Sequence, residues 1–247
     1  MSTFKILGPL ALAGVLFAFC AGCGGGGGSS TGAAIGSSTV LIPELNNYTW
    51  NYKLSGTVTP AGGGGSQTVT GTATATVTTT NFAGEPAFEI DLASNISLDG
   101  GAAIPTSLIY YVTQDANGNL IELGQSQTDS SGTTTLTVSS PSLTDSEIFP
   151  GTYSAGETVG ETINFTSSSE AYLLEVIGAG QLTVPAGTFN VWQESIAINN
   201  ATFATEDWVP SLGFFVYANF VNQEQLGSTL YNMNIDYALT STSVPGA

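Results

Sequence analysis

The feature that most constrains the fold is a strict two-residue alternation across residues 67–80. Threonine fills every second position, and valine, alanine and glycine fill most of the positions between. A period of two places these two sets on opposite faces of a β-strand. Residues 47–58 show the same period and predict another strand, one face of which carries Tyr48, Trp50, Tyr52 and Leu54.

The glycine-rich segment 60–65 separates these two strands and predicts a turn between them. We expect a long antiparallel hairpin, in which the small residues of one strand make room for the aromatic residues of the other. In a curved sheet, the space above those small residues becomes an apolar groove. We therefore predict that Tyr48, Trp50 and Tyr52 bind an apolar or amphiphilic ligand, while core packing is the alternative explanation for the same side chains.

The rest of the chain continues the alternation in segments that turn residues separate. Asn117-Gly118 is the strongest short hairpin signal. Residues 94–105 are rich in Gly, Asp and Asn and predict a loop, and no window holds an amphipathic helix longer than two turns. A third strand is predicted with Phe88, Ile90 and Leu92 facing inward. The remaining strands are predicted at residues 107–114, 119–127, 133–138, 157–166, 170–178, 180–184, 188–198, 213–221 and 229–239.

These strands predict an all-β antiparallel fold of about a dozen strands. Two arrangements fit the pattern equally well, namely a strongly curved sheet or half-barrel and a two-sheet sandwich. Residues 40–247 have the length of one all-β domain, which commonly runs to about 200–250 residues. We therefore expect a single β domain here.

Residues 1–22 have the features of a signal peptide. Lys5 precedes an apolar run of fourteen residues, 6–19, and small residues follow this run. A membrane-crossing helix needs about 20 residues, so the run is too short to span and is typical of a signal-peptide core. Residues 23–39 are rich in Gly and Ser and predict a flexible tether.

The segment Cys20-Ala21-Gly22-Cys23 resembles the lipobox of bacterial lipoproteins, which usually reads Leu-Ala-Gly-Cys. The resemblance implies cleavage before Cys23 and acylation of Cys23, with palmitate among the acyl chains. Two or three chains anchor a protein stably to a membrane without a spanning helix. No Asp follows Cys23, and this feature favours the outer membrane over the inner membrane in the lipoproteins that the segment resembles.

The composition excludes several functions. The sequence has two basic residues, Lys5 and Lys53, nineteen carboxylates and no His. Processing leaves Lys53 alone against nineteen carboxylates, a formal charge of −18, so we expect no nucleic-acid partner. Without His, the chain can form neither a Ser-His-Asp triad nor a His-ligated zinc site. We therefore predict a non-enzymatic, acidic protein with no cofactor and no metal.

One segment has oxygen ligands at alternate positions, as calcium loops do. It runs from Asp115 through Asn117 and Asn119 to Glu122. An EF-hand loop has Gly at its sixth position and Glu at its twelfth, whereas here Gly is fourth and no acid is twelfth. A hairpin turn is therefore the better interpretation.

Acidic clusters leave one catalytic alternative open, a carboxylate-dependent glycan hydrolase. Such an enzyme needs two acids that converge in one cleft, about 5 to 9.5 Å apart. In a chain whose surface charges are nearly all acidic, clusters of acids are also expected without any function. The candidate clusters are Glu85, Glu89 and Asp91, and the pair Glu157 and Glu161.

The most distinctive internal motif is Val184-Pro185-Ala186-Gly187-Thr188-Phe189, which predicts a tight hairpin. Trp208 and the Leu212-Gly213-Phe214 step follow it. Together with Tyr110-Tyr111 upstream, these motifs resemble a family of uncharacterised bacterial secreted and lipoprotein β-domains across residues 105–225. The resemblance implies a strongly curved sheet or half-barrel of unknown function.

The sequence therefore predicts an envelope lipoprotein, anchored through its N-terminal lipid, that binds an apolar or amphiphilic ligand in a curved β-sheet. A structural or adhesive surface lipoprotein is the second non-enzymatic candidate, and the glycan hydrolase is the alternative from another functional class. A carrier needs an apolar groove of several hundred Å3, whereas an adhesive protein should have a filled core. Nothing in the sequence specifies the oligomeric state, the identity of the ligand or the membrane face.

Overall fold

The structure, a computed structural model, describes residues 46–245 except 130–131, 140, 142–146 and 227–228. The predicted signal peptide, the tether and the acylation site at Cys23 therefore lie outside the described residues. Within the described part there is no helix long and apolar enough to cross a membrane. The described strands are β1 (Thr49–Pro60), β2 (Gln67–Phe82), β3 (Glu85–Leu98), β4 (Ile104–Gln114), β5 (Leu120–Asp129), β6 (Gly132–Thr137), β7 (Glu147–Phe149), β8 (Thr158–Asn164), β9 (Ser169–Val184), β10 (Gly187–Ile198), β11 (Ala201–Val209), β12 (Phe214–Leu226) and β13 (Thr229–Thr242).

All thirteen described strands belong to one antiparallel sheet. The strand order is β6-β5-β4-β3-β2-β1-β13-β12-β11-β10-β9-β8, and the short β7 pairs with β5. Almost every neighbour in space is therefore also a neighbour in sequence, except that β1 pairs with β13. This confirms the predicted all-β antiparallel fold, and the two-sheet sandwich is wrong because one curved sheet supplies both walls of the core.

The sheet curls until its two edges meet at one end. Val138, just after β6, forms an antiparallel bridge with Phe165, just after β8. The amide of Ser139 donates a hydrogen bond to the carbonyl of Asn164 (2.7 Å), and Thr166 donates to Thr137 (2.9 Å). The sheet is curled rather than closed, because no further pairs join these two edges among the described residues.

The hairpin predicted from the alternating pattern is present and contributes to the core. Trp50 lies opposite Ala75, and Tyr52 lies opposite Ala73, so the small side chains of β2 do accommodate the aromatic side chains of β1. Both aromatic residues are fully buried. Three rings from β12 and β13 pack against Trp50 and Tyr52, namely Phe214, Phe215 and Tyr237.

The Val184-to-Phe189 motif forms the predicted hairpin turn between β9 and β10, with Val184 paired to Gly187. The tip of this hairpin reaches β13, where the amide of Ala186 donates to the carbonyl of Leu239 (3.0 Å). Residues 210–212 form a short 3-10 turn between β11 and β12. Gly213 ends that turn in the left-handed conformation, with φ of 60°.

Two local predictions are wrong. Residues 94–105 are not a continuous loop, because β3 continues to Leu98 and β4 begins at Ile104. The polar residues there are compatible with a strand, and Ser94 is buried 3.4 Å from the hydroxyl of Tyr237. The two strands predicted at 170–178 and 180–184 form one continuous strand, β9. Strand β11, at 201–209, is a further strand that the list of predicted strands lacks.

Candidate functional site

A cavity lies inside the curl of the sheet. It has a volume of about 100 Å3, and a neighbouring cavity of about 60 Å3 shares several of its wall residues. Most of the cavity wall consists of inward-facing side chains from β3, β4, β5, β8, β9, β10, β11 and β12. Ile148 and Phe149 of β7 also line it. The apolar wall consists of Ile90, Leu92, Leu108, Leu120, Ile148, Phe149, Ile163, Ile196, Ile198, Phe203, Phe214, Phe215 and Phe220.

Buried glutamates interrupt this apolar wall. Glu122 on β5, Glu170 on β9 and Glu206 on β11 all line the larger cavity, and each is less than one-tenth exposed. Glu194 on β10 is buried beside them. Burial of an ionised carboxylate without a counter-charge is strongly unfavourable, so such a group shifts its pKa and takes up a proton.

The pKa values of these glutamates are raised accordingly. Burial is the main cause for Glu122, and the neighbouring charge of Glu170 adds to it, so that the pKa of Glu122 rises to about 8. Burial alone raises the pKa of Glu206 to about 8. Burial raises the pKa of Glu170 to about 7, although a hydrogen bond from the Gln125 side chain opposes the rise. These three carboxyl groups are therefore largely protonated at mildly acidic pH and ionise near or above neutrality.

Two tyrosines lie among the glutamates in the same cavity. Burial raises the pKa of Tyr110, and the charges of Glu122, Glu170 and Glu206 each raise it further. Tyr110 therefore lies within electrostatic reach of all three carboxyl groups. Tyr172 donates its hydroxyl to the carbonyl oxygen of Ile148 at 2.6 Å, which fixes its ring in the cavity wall.

Two polar atoms of the cavity wall have no hydrogen-bond partner in the described structure. They are Oε1 of Glu122 and the indole Nε1 of Trp208, and each is fully shielded from solvent. Glu122 is 3% exposed and Trp208 is also 3% exposed. A buried polar group without a partner costs roughly 1–3 kcal/mol, so most such groups in folded proteins have one. The wall of this cavity is thus polar in two places where the chain itself offers no partner.

No basic residue lines the cavity in the described part of the chain. Lys53, the one basic residue among those described, is exposed on the outer face of β1. The described residues contain no group of three or more His, Cys, Asp or Glu side chains arranged to hold a metal ion. Among the described residues, none therefore supplies a positive charge to these glutamates.

The structure places the sequence-predicted binding residues outside both cavities. Trp50 and Tyr52 are buried in the core, and Tyr48 is half-buried against it. The Trp50 ring stacks on Phe214 with centroids 5.0 Å apart, and the Tyr52 hydroxyl donates to the carbonyl of Phe215 (2.9 Å). Phe214 and Phe215 line the larger cavity. Trp50 and Tyr52 therefore support its wall from behind, while the ligand role that the sequence assigned to them stays a prediction.

The Asp115 segment forms a hairpin turn, as the better of the two interpretations expected. Its carboxylate accepts hydrogen bonds from the backbone amides and side-chain amides of Asn117 and Asn119, at 2.9 to 3.3 Å. Glu122 faces the inner cavity. The oxygen ligands of the proposed calcium pattern therefore do not converge on one point.

The acidic clusters singled out in the sequence line neither cavity. Asp91 accepts a hydrogen bond from Ser107 (2.7 Å), and Glu157 accepts two from Ser154. The pair that does lie face to face, Glu194 and Glu206, was not singled out. The sequence held a signal for Glu194, which occupies alternate positions with Trp192, Ile196 and Ile198.

Comparisons with known proteins identify no family. No family model and no curated protein matches this chain. Two solved structures show a weak similarity to this chain. One is a proposed lipoprotein from Parabacteroides distasonis, with 12% identity and a TM-score of 0.35 over 85% of this chain and all of the other. The other is a proposed exported protein with a YmcC-like fold from Bacteroides fragilis, with 8% identity and a TM-score of 0.34 over 84% of this chain and 99% of the other.

Both similarities are low, and neither transfers a function to this chain. The sequence resembles a family with a Val-Pro-Ala-Gly-Thr-Phe hairpin, but no family model matches the chain. The hairpin itself is present at residues 184–189. The function must therefore be argued from the sequence and from the geometry of the cavity.

Proposed function

We propose that this chain is a lipid-anchored, non-enzymatic protein of the bacterial cell envelope that binds a small apolar or amphiphilic molecule inside its curled sheet. The lipobox-like segment ending at Cys23 supports anchoring through an N-terminal lipid. The absence of Asp after Cys23 favours the outer membrane. One observation carries the binding proposal: an apolar cavity whose wall holds buried polar atoms without partners.

The size of the cavity limits the ligand. An apolar cavity of about 150 Å3 in another protein takes up benzene or xenon. The cavity of about 100 Å3 and its neighbour of about 60 Å3 fit a short alkyl chain or a single ring. A whole lipid needs several hundred Å3. The proposed ligand is therefore a small molecule, and a carrier for complete lipids is not supported.

A structural or adhesive surface lipoprotein is the second candidate. Most of the interior is filled, and the polar outer face of β12 and β13 forms a hydrogen-bonded ladder. In this ladder, Asn219 donates to Asn234 (2.7 Å) and to Asp236 (2.9 Å), and Gln223 donates to Asn232 (2.7 Å). Such a rigid, polar outer face suits a role that depends on surface contacts alone.

A glycan hydrolase is less well supported by the site. A retaining or inverting glycosidase needs an open cleft with one ionised and one protonated carboxyl group. Glu194 and Glu206 are both buried, and burial raises the pKa of both. Glu206 lines the larger cavity, whereas Glu194 does not, so the two carboxyl groups do not share one cleft.

The binding proposal can be tested with n-hexanol and the full-length chain carrying Cys23→Ala, which needs no detergent. Hexanol should quench or shift the tryptophan fluorescence, because Trp208 lines the cavity, and it should give saturation-transfer signals in NMR. Leu92→Phe should abolish both signals, since Leu92 lines both cavities. If Leu92→Phe does not fold, Leu108→Phe fills the same space, because Leu108 pairs with Leu92.

Leu173→Phe is the matched control, because Leu173 is 44% exposed on β9. This variant should bind hexanol as the parent chain does. A folded chain that takes up neither n-hexanol, n-hexylamine nor hexanoate contradicts the binding proposal and leaves the structural or adhesive candidate. Equal loss of binding in Leu92→Phe and Leu173→Phe would show that uptake does not occur in the cavity.

A further inference from the structure

We infer that the cavity selects a small amphiphile with a cationic head, a protonated amine on a short apolar body, and that Glu122, Glu170 and Glu206 are the groups that bind the amine. This inference rests on the proposed binding function and names the class of its ligand. The three acidic side chains come from three separate strands, and the fold brings them to one cavity.

The arrangement of polar groups fits an ammonium head. An ammonium group has three N–H donors and no acceptor, so it needs up to three acceptor oxygens. The cavity holds three carboxyl groups, and Oε1 of the buried Glu122 has no partner from the chain. Glu122 and Glu170 lie close enough for the charge of one to raise the pKa of the other. A cation placed between them removes this repulsion.

The charge of the chain excludes the opposite ligand class. Lys53 is the sole basic residue after the predicted cleavage site, and it lies on the outer face. A carboxylate ligand such as a fatty acid would therefore meet three acids and no cation. An alcohol can accept a hydrogen bond from a protonated glutamate or donate its single O–H to an ionised one, but it brings no positive charge to offset the neighbouring carboxylates.

The rest of the wall fits the apolar body of the ligand. Ile148, Ile163 and Ile196 lie on the strands β7, β8 and β10, next to those that carry the glutamates. Trp208 and Phe149 stack with centroids 4.9 Å apart and add a flat aromatic surface. Burial of an alkyl chain of about six carbons against this wall removes apolar area from water and so favours binding.

Binding of an amine by this site releases a proton. A protonated glutamate must ionise to pair with the ammonium, and its proton passes to solvent while the amine keeps its own. Affinity for an amine should therefore rise with pH as the glutamates ionise, up to the pKa of the amine. The titratable groups that face this site are Glu122, Glu170, Glu206, Tyr110 and Tyr172, with Glu194 beside Glu206.

The test compares three probes of equal chain length, n-hexylamine, n-hexanol and hexanoate, on the full-length Cys23→Ala chain. At pH 8, hexylamine should bind roughly ten times more tightly than hexanol, because a hydrogen bond to a charged group contributes about 1.5–3 kcal/mol. Hexanoate should bind most weakly. Calorimetry in two buffers of different ionisation enthalpy should show proton release for hexylamine alone.

Glu122→Gln keeps the shape of the side chain and removes its charge. It should weaken hexylamine binding about tenfold, if one charged hydrogen bond is lost, and leave hexanol binding within about twofold. Glu175→Gln is the matched control, because Glu175 is exposed on β9, and it should change neither. Should Glu122→Gln fail to fold, the probe comparison and the proton release of the parent chain still decide the question.

The outcomes separate the two proposals. Hexanol uptake with no preference for hexylamine, or a preference for hexanoate, overturns the amine inference and leaves the cavity as a binding site for neutral molecules. Unchanged hexylamine affinity in a folded Glu122→Gln chain also overturns it. Failure of all three probes to bind overturns the proposed binding function itself.

Discussion

Glu194 and Glu206 lie directly opposite each other on β10 and β11, and both are buried with no basic residue nearby. Like charges at directly opposed positions destabilise an antiparallel pair. Burial is the main reason that the pKa of Glu194 lies well above its ordinary value, and the charge of Glu206 adds to it. The hydroxyl of Tyr153 acts in the other direction and lowers the pKa of Glu194. This pair is stable in the core only while protons are bound.

The stability of the protein should therefore fall as pH rises. The pKa values of Glu122 and Glu206 are about 8 and that of Glu170 is about 7 in the folded chain, against an ordinary value of 4.5. Between pH 4.5 and the raised pKa of each group, the folded state binds more protons than the unfolded state. The contribution of these groups to stability is therefore fully present below about pH 4.5 and is lost as the pH rises through about 7 to 8.

Urea unfolding at pH 5, 7 and 9, followed by circular dichroism, measures this dependence. Glu206→Gln should reduce the slope, because a neutral amide replaces the titrating group without a change of shape. The exposed Glu175→Gln should leave the slope unchanged. A free energy of unfolding that is constant or rises from pH 5 to pH 9 contradicts the assignment of protonated glutamates.

Gly71 is required by a close backbone contact. A Cβ atom at this position would lie 2.2 Å from the carbonyl oxygen of Asn95 on β3 and 3.2 Å from Cδ1 of Leu54. Gly71→Ala should destabilise the fold by about 2 kcal/mol, since the backbone of β3 must move. Gly178→Ala is the control, because nothing lies within 4 Å of its Cβ position. Chemical denaturation of the two variants compares them, and equal stability would count against the observed spacing of β2 and β3.

Gly213 is required by backbone conformation rather than by space. Its φ of 60° is left-handed, and its amide donates to the carbonyl of Val209 (3.0 Å) as the turn closes. A β-branched residue is strained there, so Gly213→Val should cost roughly 1–3 kcal/mol of stability. Gly178→Val, at a position without positive φ, should cost less in the same thermal melt. Gly187, with φ of 147°, should respond in the same direction as Gly213.

Membrane anchoring should depend on Cys23. Cys23→Ala removes the only thiol at which the lipobox resemblance places an acyl chain, so the protein should leave the membrane fraction and lose palmitate labelling. Cys20→Ala is the control, because Cys20 lies within the predicted signal peptide. Partition of parent and Cys23→Ala chains into the same fraction would refute the lipoprotein assignment.

Much of the fold follows from local pattern. The alternation at 67–80 determined β2, and the glycine-rich turn before it determined the β1–β2 hairpin, because a period of two places a whole side-chain set on one face. Gly187 and Gly213 were also predictable as turn positions, since few other residues adopt positive φ without strain. These features depend on residues near one another in the chain.

The site depended on contacts that no local pattern contains. Glu122, Glu170 and Glu206 are separated by tens of residues, and each resembles a surface acid in its own segment. The curl that joins Val138 to Phe165 brings their strands around one cavity and removes water from them. The burial of these glutamates and the repulsion between their charges are properties of that curled arrangement rather than of the single strands. The sequence by itself therefore determined most of the strands and the acidic composition, whereas only the tertiary structure decided which acids are buried, because solvent exclusion requires both ends of the sheet at once.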